Sequence, residues 1–457
     1  MTSLEEPEPA PAAHTTPTVL VLAGVPTSPG VGSGPVAHLP AGGPPGRPGS
    51  VVVAADVTPA QMAVLTPATV AAVATAAGAP LSHAAILARS LGLPVVTGLG
   101  PDLMAIRPGT PVLVDGDAGT VHVDPPVALV QAAAARAVAD RRHLEDAVRR
   151  AMAPAVTCEG CTVPVLVNVG DAAEARTAVA GGADGVGMLR TEFTFLDRAD
   201  APAEDEQYRA YHAVADAIGV RPLVVRTLDL GADIPAWGSA DEPNPALGNR
   251  GVRFSLATPR LLETQLRAIA RLAADRPVRV MFPMVTTVDE VHAARACLDR
   301  IAGVAGTRSR IEVGITVEVP AAALTADALA PLVDFFAIGT NDLTQYTLAA
   351  DRANAAVAGL ADGMHPAVLR LISEVTAAGD RHGRAVEVVG ELACDPLAVG
   401  LLIGLGVTEL SVRPNAVPVV KQAVRTIRLD GARALAKTAL DATSATAVRR
   451  LCLDAKG

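Results

Sequence analysis

The sequence predicts an α/β protein in two parts, a small β/α domain followed by a linker helix and a (β/α)8 TIM-type barrel. Three observations carry that expectation. Between Val163 and Val412, apolar strand-like runs alternate eight times with helix-like ones. Ahead of them, residues 18–126 hold short β-type runs punctuated by Gly and Pro. Between these regions, residues 127–157 carry a helical pattern with a charged face and no catalytic-type residue. The expected boundaries are a disordered tail at 1–17, a first domain at 18–126, a helical linker at 127–157, and a barrel with C-terminal helices at 158–457.

Composition narrows the function class. Half of the 457 residues are hydrophobic but only 2% are aromatic, so the cores must be built from Ala, Val and Leu. The net charge of −9, without a basic run interleaved with aromatics, excludes a nucleic-acid binder. Charged residues make up 19% and are evenly spread, and runs such as Leu397–Leu405 are far short of a span, so no membrane segment is expected. Met1–Pro17 is acidic and Pro-rich and lacks the basic-then-apolar order of a secretion signal. Five scattered cysteines then predict reduced thiols in the cytoplasm. Cys158-Glu159-Gly160-Cys161 has zinc-knuckle spacing, but no second pair completes four ligands, so neither a metal nor a redox role is assigned to it.

In chain order, Thr18–Ala23 reads as a strand, Gly24–Gly34 as a Gly/Pro-rich turn, Pro35–Leu39 as a second strand, and Ala41–Ser50 as a loop. Val51–Ala55 is a buried-strand run and Pro59–Leu65 a short helix, while Pro94–Thr97, Val112–Asp115 and Thr120–Val123 complete a small sheet. Within this domain, the turn Ala77–Pro80 leads through Ser82 to His83 at the start of the Ala-rich helix His83–Leu91. The Ser82 hydroxyl can cap that helix, and a helix start stabilises an anion such as a phosphoryl group on His83. Taken locally, a plain surface histidine explains this stretch better; the rest of the chain reverses that. Val127–Ala153 is helical, with Arg136, Asp140, Arg141, Glu145 and Arg149 on the polar side.

The barrel strands are expected at Val163–Val169, Gly185–Leu189, Leu223–Thr227, Val278–Phe282, Ile311–Val317, Val333–Ile338, Ala385–Val389 and Thr408–Val412. Reactive groups in such a barrel lie at the C-terminal strand ends. There the sequence places Arg190, Thr191 and Glu192, then Arg226 and Asp229, then Arg250 and Arg253 in one loop. Glu318 ends the fifth strand, Asn341-Asp342 the sixth, and Arg352 follows. Five arginines converging on one mouth require an anion between them, and their planar forks suit carboxylate and phosphate. Glu318 and Asp342 supply two hard oxygen ligands, the usual protein share of a Mg²⁺ site completed by substrate and water. Arginines with a divalent metal around a phosphorylated carboxylic acid make a phosphoryl-transfer site.

The same residues carry a resemblance. Val186–Phe193 (VGMLRTEF), Arg226–Gly231 (RTLDLG), Asn244–Gly248 with Arg250, Val317–Ala322 (VEVPAA) and Phe336–Tyr346 (FAIGTNDLTQY) resemble Enzyme I of the phosphoenolpyruvate-dependent sugar phosphotransferase system, in the family of PEP-utilizing enzymes. The Ser28-Pro29-Gly30 turn and the Ser82-His83 stretch are similar to that family's swivelling phosphohistidine domain. The resemblance implies that His83 accepts phosphate from phosphoenolpyruvate (PEP), releasing pyruvate. It implies that Arg190, Arg226, Arg250, Asn341 and Arg352 bind the substrate, that Glu318 and Asp342 hold Mg²⁺, and that the barrel forms a homodimer.

Three departures from the family pattern bear on turnover. A helical domain that docks the acceptor protein HPr normally follows the first strands, and here that place holds only Ala41–Ser50. The family's acid/base cysteine is Val389, with Cys394 five residues on in place of a glycine. Its lysine is Ile234 and its threonine before the histidine is Leu81. Val389 cannot protonate the enolate of departing pyruvate, although that enol can ketonise in water after release. The primary reading is a Mg²⁺-dependent PEP-protein phosphotransferase with an HPr-like or other acceptor. The alternatives are a degenerate paralogue that binds PEP or a partner as a regulator, and a synthase or dikinase passing phosphate to a small molecule.

Overall fold

The computed structural model describes residues 20–39, 48–78, 82–196, 198, 200–230, 242–352, 354 and 356–455. The tail Met1–Pro17, Leu81, Ile234 and most of the Ala41–Ser50 loop lie outside these residues. The chain divides into two units, and the boundary between Asp140 and Arg141 falls inside one long helix.

The first unit contains β1 (Leu20–Ala23), β2 (Val25–Ser28), β3 (Val31–His38), β4 (Val51–Ala54), α1 (Pro59–Val64), β5 (Ala72–Thr75), α2 (His83–Leu91), β6 (Val95–Thr97), β7 (Pro111–Asp115) and β8 (Thr120–Val123). The strands form one sheet in the order β1-β8-β7-β3-β4-β5-β6-β2. Its centre, β3 to β6, is parallel, and antiparallel pairings flank it. Parallel strands must be covered on both faces, which is why β4 reads as an unbroken apolar run. Val51, Val53, Ala72 and Ala74 face one core; Val52, Ala54 and Val73 face the other, against Met62 of α1 and Ala84 and Ala88 of α2.

Two sequence expectations change here. The Gly24–Gly34 stretch, expected as a turn, is mostly strand, with its reversal at Gly30 (φ 107°). Gly32 and Gly34 serve close packing: a Cβ at Gly34 would sit 2.0 Å from the Gly49 carbonyl oxygen. The strand β5 was not expected, because Ala72-Val73-Ala74-Thr75 has no compositional β signal beyond one valine and one threonine.

Helix α3 (Val127–Arg150) follows, almost wholly exposed, with only Ala147 buried. Arg136 ties its first half to the Asp115–Asp117 turn, through Asp115 at 3.2 Å and Asp117 at 2.5 Å.

The second unit is a closed barrel of β9 (Val165–Val169), β10 (Val186–Arg190), β11 (Leu223–Arg226), β12 (Val278–Phe282), β13 (Ile311–Val317), β14 (Phe335–Gly339), β15 (Ala385–Val389) and β16 (Glu409–Val412). Every pairing is parallel, and β16 closes onto β9. All eight expected strands are present, three with the expected bounds and the others with ends shifted by at most two residues. Alternation sets the layers: Ile311, Val313, Ile315 and Val317 of β13 face the helical shell. Met188, Val224, Met281, Phe335, Ala337 and Val389 pack inside the barrel. No helix among the described residues is long and apolar enough to cross a membrane.

Candidate active site at the barrel mouth

The C-terminal ends of β11 to β14 gather a buried ion network. Arg226, the last residue of β11, donates to Glu192 Oε1 at 3.0 Å and lies 3.7 Å from Asp229 and 3.9 Å from Glu318. Arg250 grips Asp229 with two parallel bonds, Nε to Oδ1 at 3.1 Å and Nη2 to Oδ2 at 2.7 Å. Its remaining Nη1 donates to Asp342 Oδ1 and to the Tyr346 hydroxyl, each at 3.1 Å. Tyr346 in turn donates to the Ala246 carbonyl, which ties the Asn244–Gly248 loop to the helix after β14. Arg352 Nη1 stands 3.5 Å from Asp342 Oδ2.

These groups hold one another against the cost of burial. Burial alone would weaken both the Arg226 and Arg250 cations, but Glu192, Asp229 and Glu318 around Arg226, and Asp229 and Asp342 around Arg250, more than offset it. Burial also works to raise Asp229, yet Arg250 and Arg226 outweigh it and keep that carboxyl below its ordinary range. Glu318 goes the other way: burial, then Asp342 and Asp229, push it up to about 7 despite the two arginines.

Polar support comes from behind. Gln265 accepts from the Leu228 N–H at 2.9 Å and donates to Thr191 Oγ1 at 3.1 Å; Thr191 donates to the Arg226 carbonyl at 2.9 Å. The Met284 N–H holds Glu318 Oε2 at 2.9 Å. Gly339 makes room for that carboxylate, since a Cβ there would meet Glu318 Cγ at 2.5 Å.

The other arc of the mouth, β15-β16-β9-β10, is built differently. Arg190 ends β10 and, among the described residues, forms no ion pair and no side-chain hydrogen bond. Burial and the neighbouring Arg226 cation weaken its charge more than Glu192, Glu174 and Glu391 support it. Val389 ends β15 inside the barrel among Met188, Phe335 and Ala337, at 4% exposure. Cys394 is buried in the outer core, its thiol donating to the Gly390 carbonyl at 3.5 Å and its sulfur accepting from the Arg413 N–H at 3.3 Å. Burial and Glu391 push that thiol up. Asn341 is exposed and accepts from the Glu391 N–H at 3.1 Å, and Thr340 donates to the Val389 carbonyl at 2.9 Å, so the β14 and β15 ends are stitched together.

Of the seven barrel residues singled out from sequence, Arg190, Arg226, Glu318, Asn341 and Asp342 stand at strand ends, Arg250 reaches in from the loop after β11, and Arg352 joins them through Asp342. Arg253 does not join the cluster. It donates to Thr286 Oγ1 at 2.7 Å and pairs with Glu290 at 3.4 Å, because Arg250 is the extended residue that precedes the helix Gly251–Ala257 whereas Arg253 lies within that helix. Glu192 and Asp229 were noted in the sequence only as polar strand-end residues, yet they anchor three arginine contacts. Their signal was spacing: each lies two or three residues after an arginine that ends a strand.

The donor set fits a divalent metal. Glu318 and Asp342 follow adjacent strands and are both buried, and burial first, then the neighbouring carboxylates, disfavour charge on Glu318. A hard cation would offset both the burial cost and that repulsion. Two carboxylates with open positions are what Mg²⁺ accepts when substrate and water complete six oxygens.

In the first unit, His83 is the exposed first residue of α2. Ser82 Oγ accepts from the Ala85 N–H at 3.2 Å, as the sequence indicated, and Ala84 and Ala88 fasten the opposite face to the sheet. Arg89, in the last turn, donates to the Thr27 carbonyl at 2.7 Å.

Comparison with known proteins agrees with this layout. Residues 145–429 match the PEP-binding domain of PEP-utilising enzymes, and residues 46–119 match the mobile domain of the same enzymes. The chain is 45% identical over 405 residues to a multiphosphoryl transfer protein of Rhodobacter capsulatus, covering 88% of this chain and 49% of that protein. It is 45% identical over 417 residues to a phosphoenolpyruvate-protein phosphotransferase of Haloferax volcanii, covering 89% of this chain and 72% of the relative. A phosphotransferase of the same name in Streptomyces coelicolor is 42% identical over 415 residues, with the same two shares. The chain thus spans about half the length of the multiphosphoryl transfer proteins it matches. With a mobile domain bearing an exposed histidine and a barrel mouth lined by arginines and paired carboxylates, this chain belongs to the family of PEP-utilising enzymes.

Proposed function

We propose that the chain is a phosphoenolpyruvate-protein phosphotransferase that carries the phosphoryl group on His83. The observation that supports this best is the contrast at the mouth: an unpaired, burial-weakened Arg190 beside arginines already neutralised by carboxylates. A cation held so needs an exogenous anion, and PEP brings a phosphate and a carboxylate on three carbons. Arg190 and Arg226 would hold the phosphoryl oxygens, while Asn341 and Arg352 would orient the carboxylate end. Glu318 and Asp342 would hold Mg²⁺, which when bound neutralises charge on the transferring group.

In the transfer, the phosphorus–oxygen bond of PEP breaks as a ring nitrogen of His83 forms the new bond to phosphorus. The electron pair leaves on the enolate of pyruvate. The chain's own part is placement: the arginines fix the leaving oxygen in line, and Ser82 holds the start of α2 so that its free N–H groups meet the phosphohistidine. No acid stands at Val389, and the Cys394 thiol is turned into the core. The enol therefore takes its carbon-bound proton from water, which slows the return reaction from pyruvate more than the forward one. The acceptor that follows His83 is a protein, HPr-like or otherwise, and we place the reaction in the cytoplasm as a dimer-forming barrel.

The test is incubation with ³²P-labelled PEP and Mg²⁺. Acid-labile label should stay on the protein and be absent from His83→Ala; an unlabelled wild-type chain would contradict the reading. Val389 favours one second reading, a PEP-binding regulator without turnover, which would bind PEP with Mg²⁺ yet never form phosphohistidine.

A further inference from the structure

The CxxC stretch left without a role in the sequence is organised in three dimensions. Val156 and Thr162 form an antiparallel bridge, and the Thr157 N–H donates to the Cys161 carbonyl at 2.9 Å. The Gly160 N–H donates back to the Thr157 carbonyl at 3.0 Å, and Gly160 takes a left-handed φ of 88°. This is a tight hairpin in which Cys161 lies opposite Thr157, the residue next to Cys158. Cys158 and Cys161 are thus three residues apart on one turn, at its start and just past its end.

The hairpin is also pinned from outside. The Cys158 N–H donates to the Ile427 carbonyl at 2.9 Å, and its thiol lies 3.7 Å from the Arg425 carbonyl. Glu159 Oε2 accepts from the Leu429 N–H at 3.1 Å. Arg425 itself holds the carbonyls of Arg150 and Ala153 at the end of α3, at 2.9 and 2.7 Å. Both cysteines are nonetheless exposed, whereas Cys394 and Cys452 are buried and Cys297 is half-buried. Two thiols fixed on one turn and open to solvent meet at high effective concentration, so closing a bond between them costs little order.

We propose that Cys158 and Cys161 form a reversible dithiol–disulfide pair, a modification site for small two-electron thiol oxidants such as hydrogen peroxide. In the reaction, one thiol loses its proton and the thiolate attacks the peroxide O–O bond, giving a sulfenic acid and hydroxide, which takes up that proton to become water. The second thiolate then displaces that hydroxyl as a second water and forms the S–S bond. Two thiols lose two protons and two electrons, and the peroxide takes them up as it becomes two waters. A dithiol reductant reverses the step. The proposal does not depend on phosphotransfer.

The experiment uses the reduced full chain, treated with a small excess of hydrogen peroxide and read by intact mass and peptide mapping. The expected product has lost two hydrogens, with the bond mapped between Cys158 and Cys161 and both thiols recovered on reduction. Cys158→Ser and Cys161→Ser should each instead take up oxygen on the remaining sulfur, while Cys297→Ser should behave as wild type. Oxidation that stops at separate sulfenic or sulfinic acids in the wild type, or that leaves the 158–161 peptide reduced, would overturn the proposal.

Discussion

The two arcs of the barrel mouth face the same task with opposite means. Along β11 to β14, Arg226 and Arg250 are charge-paired with Glu192, Asp229 and Asp342 before any ligand arrives. Along β15 to β10, Arg190 has no such partner, and Val389 offers no polar group at all. The first arc is a scaffold whose geometry is fixed in advance, as placement-based catalysis requires. On the second, Arg413 after β16 pairs with Glu391 at 3.5 Å, and Arg190 is the cation that our proposal leaves for a ligand. An arginine at a strand end therefore has two distinct meanings, decided by whether carboxylates stand within reach.

Breaking the charge-paired arc should have the largest effect. Asp229→Ala removes the carboxylate that two buried guanidinium groups share and should cost about 3–5 kcal/mol of stability, seen as a lowered midpoint in urea. Phosphorylation of His83 should fall with it. Arg190→Met should act the other way round. Stability should stay within about 1 kcal/mol of wild type, because no ion pair is lost, while kcat/KM for PEP falls about 10–100-fold with the lost charge-assisted contact. A stability loss in Arg190→Met matching that of Asp229→Ala would erase the distinction.

A smaller effect concerns Glu387, buried below Val389 inside the barrel. Burial and Glu409 hold its carboxyl well above the ordinary range, against Ser411 and Arg279. Gly187 leaves space for it, since a Cβ there would lie 2.0 Å from Glu387 Oε1. The native state keeps a proton on Glu387 that the unfolded chain gives up at lower pH. Stability from this group is therefore present in acid and lost as pH rises above the unfolded carboxyl range. Glu387→Gln should match wild type near about pH 5 and melt about 2–4 °C higher near about pH 9. Equal melting curves at both pH values would contradict it.

The smallest expected change is Val389→Cys. It conserves volume to within about 1.5 kcal/mol and places an acid at the second arc. Forward phosphorylation should change little, while phosphoryl return to pyruvate should rise, measured as exchange of labelled pyruvate into PEP.

Much of this was legible in the sequence. The eight barrel strands are runs such as Val278–Phe282 whose outward residues must meet helices, so they stand out as apolar. His83 and its Ser82 cap follow from local chemistry. What the sequence hid were long-range pairings. Glu192 and Arg226 are thirty-four positions apart, and nothing local says that one neutralises the other while Arg190 is left alone. Arg253 was misplaced because a helix starts between it and Arg250, leaving Arg250 on the extended approach and Arg253 on the helix. The glycines at 32 and 34 resembled a turn because close sheet packing and chain reversal both call for the same residue.

The most direct measurement is calorimetric titration of PEP into His83→Ala, which cannot consume the ligand through that histidine. With Mg²⁺ present, the protein should bind one PEP per barrel, and the signal should vanish with EDTA and in the His83→Ala/Arg190→Met double variant. Binding that persists without Mg²⁺, or that survives the loss of Arg190 unchanged, would contradict the division of the mouth into a paired scaffold and an open anion site.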